Sequence, residues 1–252
     1  MAKILVFDTE TTSLDKPFCY DVGYLIIDSE TTLIEKEEHY VIEQTWHNLP
    51  LFESAYYKDK RPLYVQLMRA HKAKLVKWGY MTQALARDIK NYEITDAYAY
   101  NSPFDDKVFS FNCDWFKTLN PFDNVAIHDI RGYASEYITG TAAFQNFCEE
   151  NNCFTDTGNY SGTAETVYRF ITENETFVEA HMGAMDSEIE AEILLYCLEQ
   201  GAELATDYKV KKILTREKKC PFTVKINNRV IYKGEYSKKY VCNDVYNFTV
   251  EG

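Results

Sequence analysis

The chain has 252 residues, 46% of them hydrophobic and 26% charged, with a formal net charge of −12. That apolar content excludes a disordered chain, and no apolar run approaches the roughly 20 residues of a membrane span. The opening MAKILVFDTE is too short an apolar run for a secretory leader, and seven cysteines without a Cys-x-x-Cys pair argue for reduced thiols, so a cytoplasmic protein is expected.

The charge is unevenly spread. Residues 207–252 carry eleven Lys/Arg against five Asp/Glu, and residues 58–77 carry seven against one, so the rest of the chain is strongly acidic. Basic patches beside an acidic, metal-binding centre can hold a phosphate backbone; solvated lysine faces are the plain alternative for either patch alone.

In chain order, strands are expected over Lys3 to Asp8, Val22 to Asp28, Leu33 to Ile42, Ile94 to Tyr100 and Val125 to Asp129. Pro62 opens a helix whose apolar stripe runs through Tyr64, Leu67, Met68, His71, Leu75 and Trp78, with His71 read as a packing residue. Further helices fit Asp105 to Leu119, Ala142 to Asn151, Thr163 to Thr172 and Ser187 to Gln200, the last with a Ser187-x-x-Glu190 capping signal and Gly201 beyond its end. The tail CPFTVKINNRVIYKG alternates as a β-hairpin does, with Asn227-Asn228 as its two-residue loop. Strands alternating with helices make the chain α/β, with a small basic β appendage at the C-terminal end.

Three stretches carry chemistry. In KILVFDTETTSL an apolar strand ends in Asp8 and Glu10, which point to one side because residues two apart on a strand share a face. Two carboxylates held close repel unless a cation or protons neutralise them, and oxygen-only ligands favour Mg²⁺ or Mn²⁺. Asp105 and Asp106 follow in AYNSPFDDKVF, and EAHMGAMDSEIEAEILL sets His181 five residues before Asp186. Taken singly, each has a bland reading: solvated acids at a strand end, an acid serving a helix dipole, a histidine on a surface loop.

Together, FDTETTSL, YNSPFD and HMGAMD resemble, in order, the three motifs of the DEDD exonuclease superfamily, histidine subgroup, which includes the proofreading epsilon subunit of DNA polymerase III, ribonuclease T and oligoribonuclease. The resemblance spans about residues 1 to 205. It implies a ribonuclease-H-like fold, a mixed five-stranded sheet flanked by helices with the first strand in the middle, and a domain of residues 1–205 followed by an extension of residues 206–252. It implies that Asp8, Glu10, Asp105 and Asp186 bind two divalent cations, Mg²⁺ or Mn²⁺, and that His181 is the general base, while Asp106 has no counterpart. It places Thr11, Thr12 and Leu14 against the terminal nucleotide, Leu14 as a wedge, with Asn101 and Phe104 supporting the site from the substrate side.

The function implied is a 3′–5′ exonuclease acting on 3′ ends, single-stranded or frayed DNA being favoured and RNA the alternative, with a DNA polymerase or another replication protein as an expected partner. A non-catalytic end-binder is the reading from another class, disfavoured because all five groups are present. Two departures from the motif pattern stand out: Ser13 where glycine is frequent, and Met182-Gly183 where a Thr-Ala pair is common. His128-Asp129 is read as a structural or substrate-side pair.

Overall fold

The apolar run after Lys3 forms strand β1 (Lys3–Thr11), and its composition follows from its place in the middle of a sheet covered on both faces. Ile4 and Val6 pack into one apolar cluster and Leu5 and Phe7 into another, all four fully buried. The computed structural model describes residues 3–211 and the backbone of two later strands, β7 (Lys218–Ile226) and β8 (Arg229–Lys238).

β1 pairs antiparallel with β2 (Cys19–Asp28), and β2 antiparallel with β3 (Ile34–Ile42). Two short helices, α1 (Glu43–His47) and α2 (Leu49–Phe52), and a single 3₁₀ turn, Lys58–Lys60, lead to α3 (Arg61–Arg69) and to β4 (Lys74–Val76), which adds parallel to β3. Helix α4 (Trp78–Asn91) returns to β5 (Asp96–Ala99), parallel to β1; α5 (Ser102–Phe116) leads to β6 (Ala126–Asp129), parallel to β5. Then come α6 (Ile130–Ala134), a π-helical turn, Ser135–Thr139, and helices α7 (Ala142–Glu150), α8 (Ala164–Ile171) and α9 (Gly183–Glu199). The main sheet runs β4-β3-β2-β1-β5-β6.

The layering is α/β with helices on both faces. Side chains of α4 and α5 cover the Leu5/Phe7 face, and those of α6 to α9 cover the Ile4/Val6 face. A third cluster, with Tyr20, Trp46, Phe52, Tyr64 and Met182, fastens α1 to α3 beside the β2–β3 end.

The sheet has six strands rather than the five expected, because the supposed long helix from Pro62 is broken. α3 does begin at Arg61–Pro62, but it ends at Arg69: His71 adopts φ 57° and Lys72 N–H donates back to the Leu67 carbonyl, a left-handed helix stop. His71 is therefore an exposed turn residue, not a packing one, and Leu75 sits in the edge strand β4. Trp78 opens the separate helix α4, its N–H bonded to Gln44 Oε1 at 3.1 Å. The apolar spacing that ran across these three elements had no helix to belong to.

Other boundaries shifted too. α5 starts at Ser102, three residues before Asp105, and α9 starts at Gly183, so Ser187 lies inside it and donates to the Gly183 carbonyl instead of capping. Thr163, expected as the first residue of a helix, is instead the N-cap of α8, and Gly201 takes φ 98° just beyond α9. Cys19, Cys113, Cys148, Cys153 and Cys197 are free and buried. β7 and β8 pair antiparallel, with Ile226 opposite Arg229; the expected Asn227-Asn228 loop lies outside the described residues. Residues just after 206 still pack on the main body: Asp207 Oδ1 lies 3.0 Å from His128 Nδ1, and Tyr208 meets Tyr133 and Tyr137. No helix among the described residues is long and apolar enough to cross a membrane.

The contact that brings α9 onto β2 depends on two glycines. A Cβ on Gly23 would fall 2.0 Å from Ala184 N, and one on Gly183 would fall 2.5 Å from Gly23 N and 3.1 Å from Asp8 O. Neither neighbour is a side-chain tip that could swing away. Gly23→Ala is therefore expected to cost about 3 kcal/mol or more by forcing α9 off the sheet, measured by urea unfolding.

Candidate active site

Asp8 and Glu10 lie on the α9 side of β1, at the end where the strand leaves the sheet. Thr9 points to the other face, toward α5. There its N–H and Oγ1 donate to Asp105 Oδ1 at 3.1 and 2.6 Å, holding a side chain that is 3% exposed. Asp186, in the first turn of α9 and equally buried, accepts the Met182 N–H on Oδ2 at 2.6 Å. Carboxylates from opposite layers thus converge on one strand end.

The structure brings Glu10, His181 and Asp186 together most closely, with ligand atoms all within 4.8 Å of one another. His181 precedes α9 in a left-handed conformation, φ 49°, which a non-glycine residue adopts only where its surroundings impose it. Its ring stacks on Tyr57, centroids 4.1 Å apart, and Nδ1 faces Glu179 Oε2 at 3.7 Å. Lys60 Nζ bonds the Ala180 carbonyl and lies 4.5 Å from the Tyr57 ring centre, bracing the same loop.

Behind the site, Asp21 lies opposite Glu10 on β2 and is wholly buried. Oδ2 accepts the Gly183 N–H at 2.9 Å and the Tyr64 hydroxyl at 2.6 Å, and His39 Nε2 sits 2.8 Å from Oδ1 as a charge contact without hydrogen-bond alignment. Gly183, one of the two residues that depart from the motif pattern, is the residue clamped here.

Electrostatics set the character of the centre. Burial, then repulsion from Glu190, Asp105, Asp186 and Glu10, holds the Asp8 carboxyl well above its usual range. Burial raises Asp105 to about 7 against the Thr9 hydrogen bonds, and burial with Glu179 raises Asp186 to about 8. Burial and the Lys60 charge push His181 down, toward its neutral form.

The arrangement fits divalent cations. The donors are carboxylate oxygens, their mutual repulsion calls for positive charge, and Asp186 Oδ1 is buried with no hydrogen-bond partner among the described residues.

The expected substrate-side residues differ in exposure. Thr12 is buried, Leu14 is 76% exposed at a loop tip, and Thr11 Oγ1 donates to the Ser13 carbonyl. Ser13 closes its turn with its hydroxyl, which donates to Lys16 O and accepts Lys16 N–H, as a substitute for glycine's freedom. Asn101, at φ 64° before α5, lines a cleft of about 640 Å³ together with Asp8, Tyr100 and Arg131. Asp129 caps α6 and accepts the Asn101 N–H at 2.8 Å, while His128 bridges Asp96 and Asp207.

One acid escaped the motif reading. Glu190, 3% exposed, is the strongest charge neighbour of Asp8 and accepts the Tyr100 N–H at 2.9 Å. Its signal was available: four residues beyond Asp186 on a helix is the same face.

No protein-family model and no curated protein matches the chain. Solved structures do. The nuclease domain of 3′hExo, a DEDDh family member bound to rAMP, superposes with a TM-score of 0.50 at 12% identity, covering 84% of this chain and 96% of that one. The fold is that of the DEDDh 3′-exonucleases. A 3′-exonuclease recognising the 3′ end of the histone mRNA stem-loop gives a TM-score of 0.53 at 12% identity over 79% of this chain and 82% of its own. E. coli exonuclease I with a dA16 oligonucleotide gives 0.50 at 16% identity, over 77% of this chain and 40% of the larger enzyme. At such identities the DEDDh backbone arrangement is what is shared, and the chemistry rests on the side chains described above.

Carboxyls whose folded pKa exceeds the unfolded value near 4 bind protons on folding, so their contribution is fully present at low pH and lost as pH rises. For Asp105 and Asp186 the loss runs from about pH 4 to about pH 8. Metal-free protein is expected to lose thermal stability across that window, and Mn²⁺ or Asp8→Asn to restore part of it at pH 8, followed by calorimetric melting.

Proposed function

We propose that the protein is a metal-dependent 3′–5′ exonuclease hydrolysing phosphodiester bonds at the 3′ ends of nucleic acid. The observation that carries this reading is the convergence of Asp8, Glu10, Asp105 and Asp186 with His181 at one strand end of a DEDDh fold. Asp8, Glu10, Asp105 and Asp186 would hold two divalent cations, Mg²⁺ or Mn²⁺. Bound there, they supply Lewis-acid polarisation of the phosphodiester and neutralise charge on the attacking and leaving oxygens.

The protein's own groups do the rest. His181, kept neutral by burial and by Lys60, takes the proton of the attacking water; with Nδ1 turned to Glu179, Nε2 is its basic nitrogen. The stack on Tyr57 and the Lys60 bond to Ala180 hold the ring in place. Asp21 fixes the start of α9, and through it Asp186. Thr11, Leu14 and Asn101 lie on the substrate side of this centre, and the backbone near Thr12 completes that rim.

Single-stranded or frayed DNA is the substrate we favour, in the cytoplasm. RNA is a second reading, favoured by the rAMP on the 3′hExo nuclease domain and by the stem-loop RNA of the 3′-exonuclease neighbour, whereas the exonuclease I neighbour carries DNA. We assign the basic chain beyond 211, most of the extension expected from 206 onward, to strand holding or to docking a replication partner. Its deletion should weaken binding to long single strands and reduce the salt dependence.

The test is a product ladder. With 5′-labelled DNA and RNA oligonucleotides and Mg²⁺ or Mn²⁺, stepwise shortening from the 3′ end is expected. EDTA or Asp186→Asn should abolish it, and His181→Ala should slow it by about 10²- to 10⁴-fold. Undiminished digestion by Asp186→Asn would remove the assigned centre.

A further inference from the structure

Beside the acidic centre, the loop after Glu10 and one edge of α5 form an aromatic cluster that hydrolysis alone leaves without a role. Phe18 meets Phe111 and Trp115 edge-on, with ring centroids 5.1 and 5.0 Å apart, and Phe111 and Trp115 lie 6.2 Å apart with 20° between their planes. Trp115 is 62% exposed. The other two tryptophans, Trp46 and Trp78, are buried.

The cluster is built onto the site. Asn112, wholly buried, donates to the Pro17 carbonyl at 2.8 Å and accepts the Cys19 N–H at 3.2 Å, fixing the loop against α5. Lys107 Nζ donates to the Leu14 carbonyl at 2.7 Å, holding the loop tip. On α5, Phe104, Phe111 and Trp115 follow the spacing of one helix edge; Asp105, the residue after Phe104, lies on the neighbouring buried face, so the edge starts beside the acidic centre. From Phe104 to Trp115 the edge runs about 16 Å at 1.5 Å per residue, room for roughly three to five nucleotides.

Charge around the patch is mixed. Lys16 and Lys107 are exposed, and so are Asp15, Asp106 and Asp114. Phosphate attraction is therefore a poor source of affinity here, whereas ring faces that stack on any base are a good one.

We propose that Trp115, supported by Phe18 and Phe111, is a base-stacking platform for the single strand leading away from the 3′ end held at the acidic centre. The proposal rests on the nuclease reading for its direction and on continuity along α5 for its occupant. It makes binding tolerant of sequence and demanding of single-strandedness, because paired bases hide their faces from the ring.

The experiment is a tryptophan-fluorescence titration of the full chain, with Ca²⁺ in place of Mg²⁺, using dT8, dT2 and a blunt hairpin duplex, alongside dT8 and dT2 hydrolysis in Mg²⁺. Strong quenching by dT8, weak quenching by dT2 and by the duplex, and loss of quenching in Trp115→Phe are expected, since the remaining tryptophans are buried. Trp115→Ala should raise KM for dT8 about 10-fold with a far smaller change for dT2, and Trp115→Phe should recover most of that loss. Hydrolysis of dT8 without quenching, or an equal KM in Trp115→Ala, would overturn the platform. Quenching by dT8 without hydrolysis would uphold the platform and overturn the nuclease reading.

Discussion

The carboxylates of Asp8, Glu10, Asp105, Asp186 and Glu190 repel one another in a space where burial has removed most of the water that would screen them. Protein atoms answer that repulsion only in part. Thr9 supplies two donors to Asp105, the Met182 amide one to Asp186, and the Tyr100 amide one to Glu190, while one oxygen of Asp186 has none among the described residues. Buried acids so poorly compensated weaken a fold unless something positive joins them. The centre makes physical sense as a cation site and little sense as a purely structural feature.

Holding such a cluster together needs a stiff frame, and the frame is β1 with its two layers. Because both faces of the strand are packed with apolar side chains, it cannot slide or twist, and alternation sends Asp8 and Glu10 toward α9 and Thr9 toward α5. The paired glycines at 23 and 183 let α9 touch the sheet backbone, and Asp21 ties down its first turn. The acids therefore come from three elements, β1, α5 and α9, and all are fixed relative to the same strand. The rims are braced by single side chains: the Ser13 turn with its exposed Leu14 by Lys107, and the His181 loop by Tyr57 and Lys60.

Much of this was legible in the residues. A run of apolar side chains ending in Asp-x-Glu identified the central strand because burial on both faces removes the usual alternation, and motif order placed Asp105, His181 and Asp186 around it. What failed was local. The stripe from Tyr64 to Trp78 kept helical spacing across a helix stop, an edge strand and a new helix, since each element merely needed an apolar residue where the next one began. Ser187-x-x-Glu190 looked like a cap because both residues are polar; in the fold both are buried, one on a backbone carbonyl and the other beside Asp8. Asp21 went unremarked, and the place of Glu190 beside Asp8 went unseen, because both depend on neighbours far away in sequence.

The most direct expectation is that this cluster binds divalent cations through the carboxylates of Asp8, Glu10, Asp105 and Asp186. Counting bound Mn²⁺ by the loss of the free-ion electron paramagnetic resonance signal tests it without reference to activity. Two ions per chain are expected in the unaltered protein, and fewer, more weakly held, in Asp8→Asn and Asp186→Asn variants that remain folded. An unaltered protein that takes up no Mn²⁺, or variants that bind it equally well, would contradict the account.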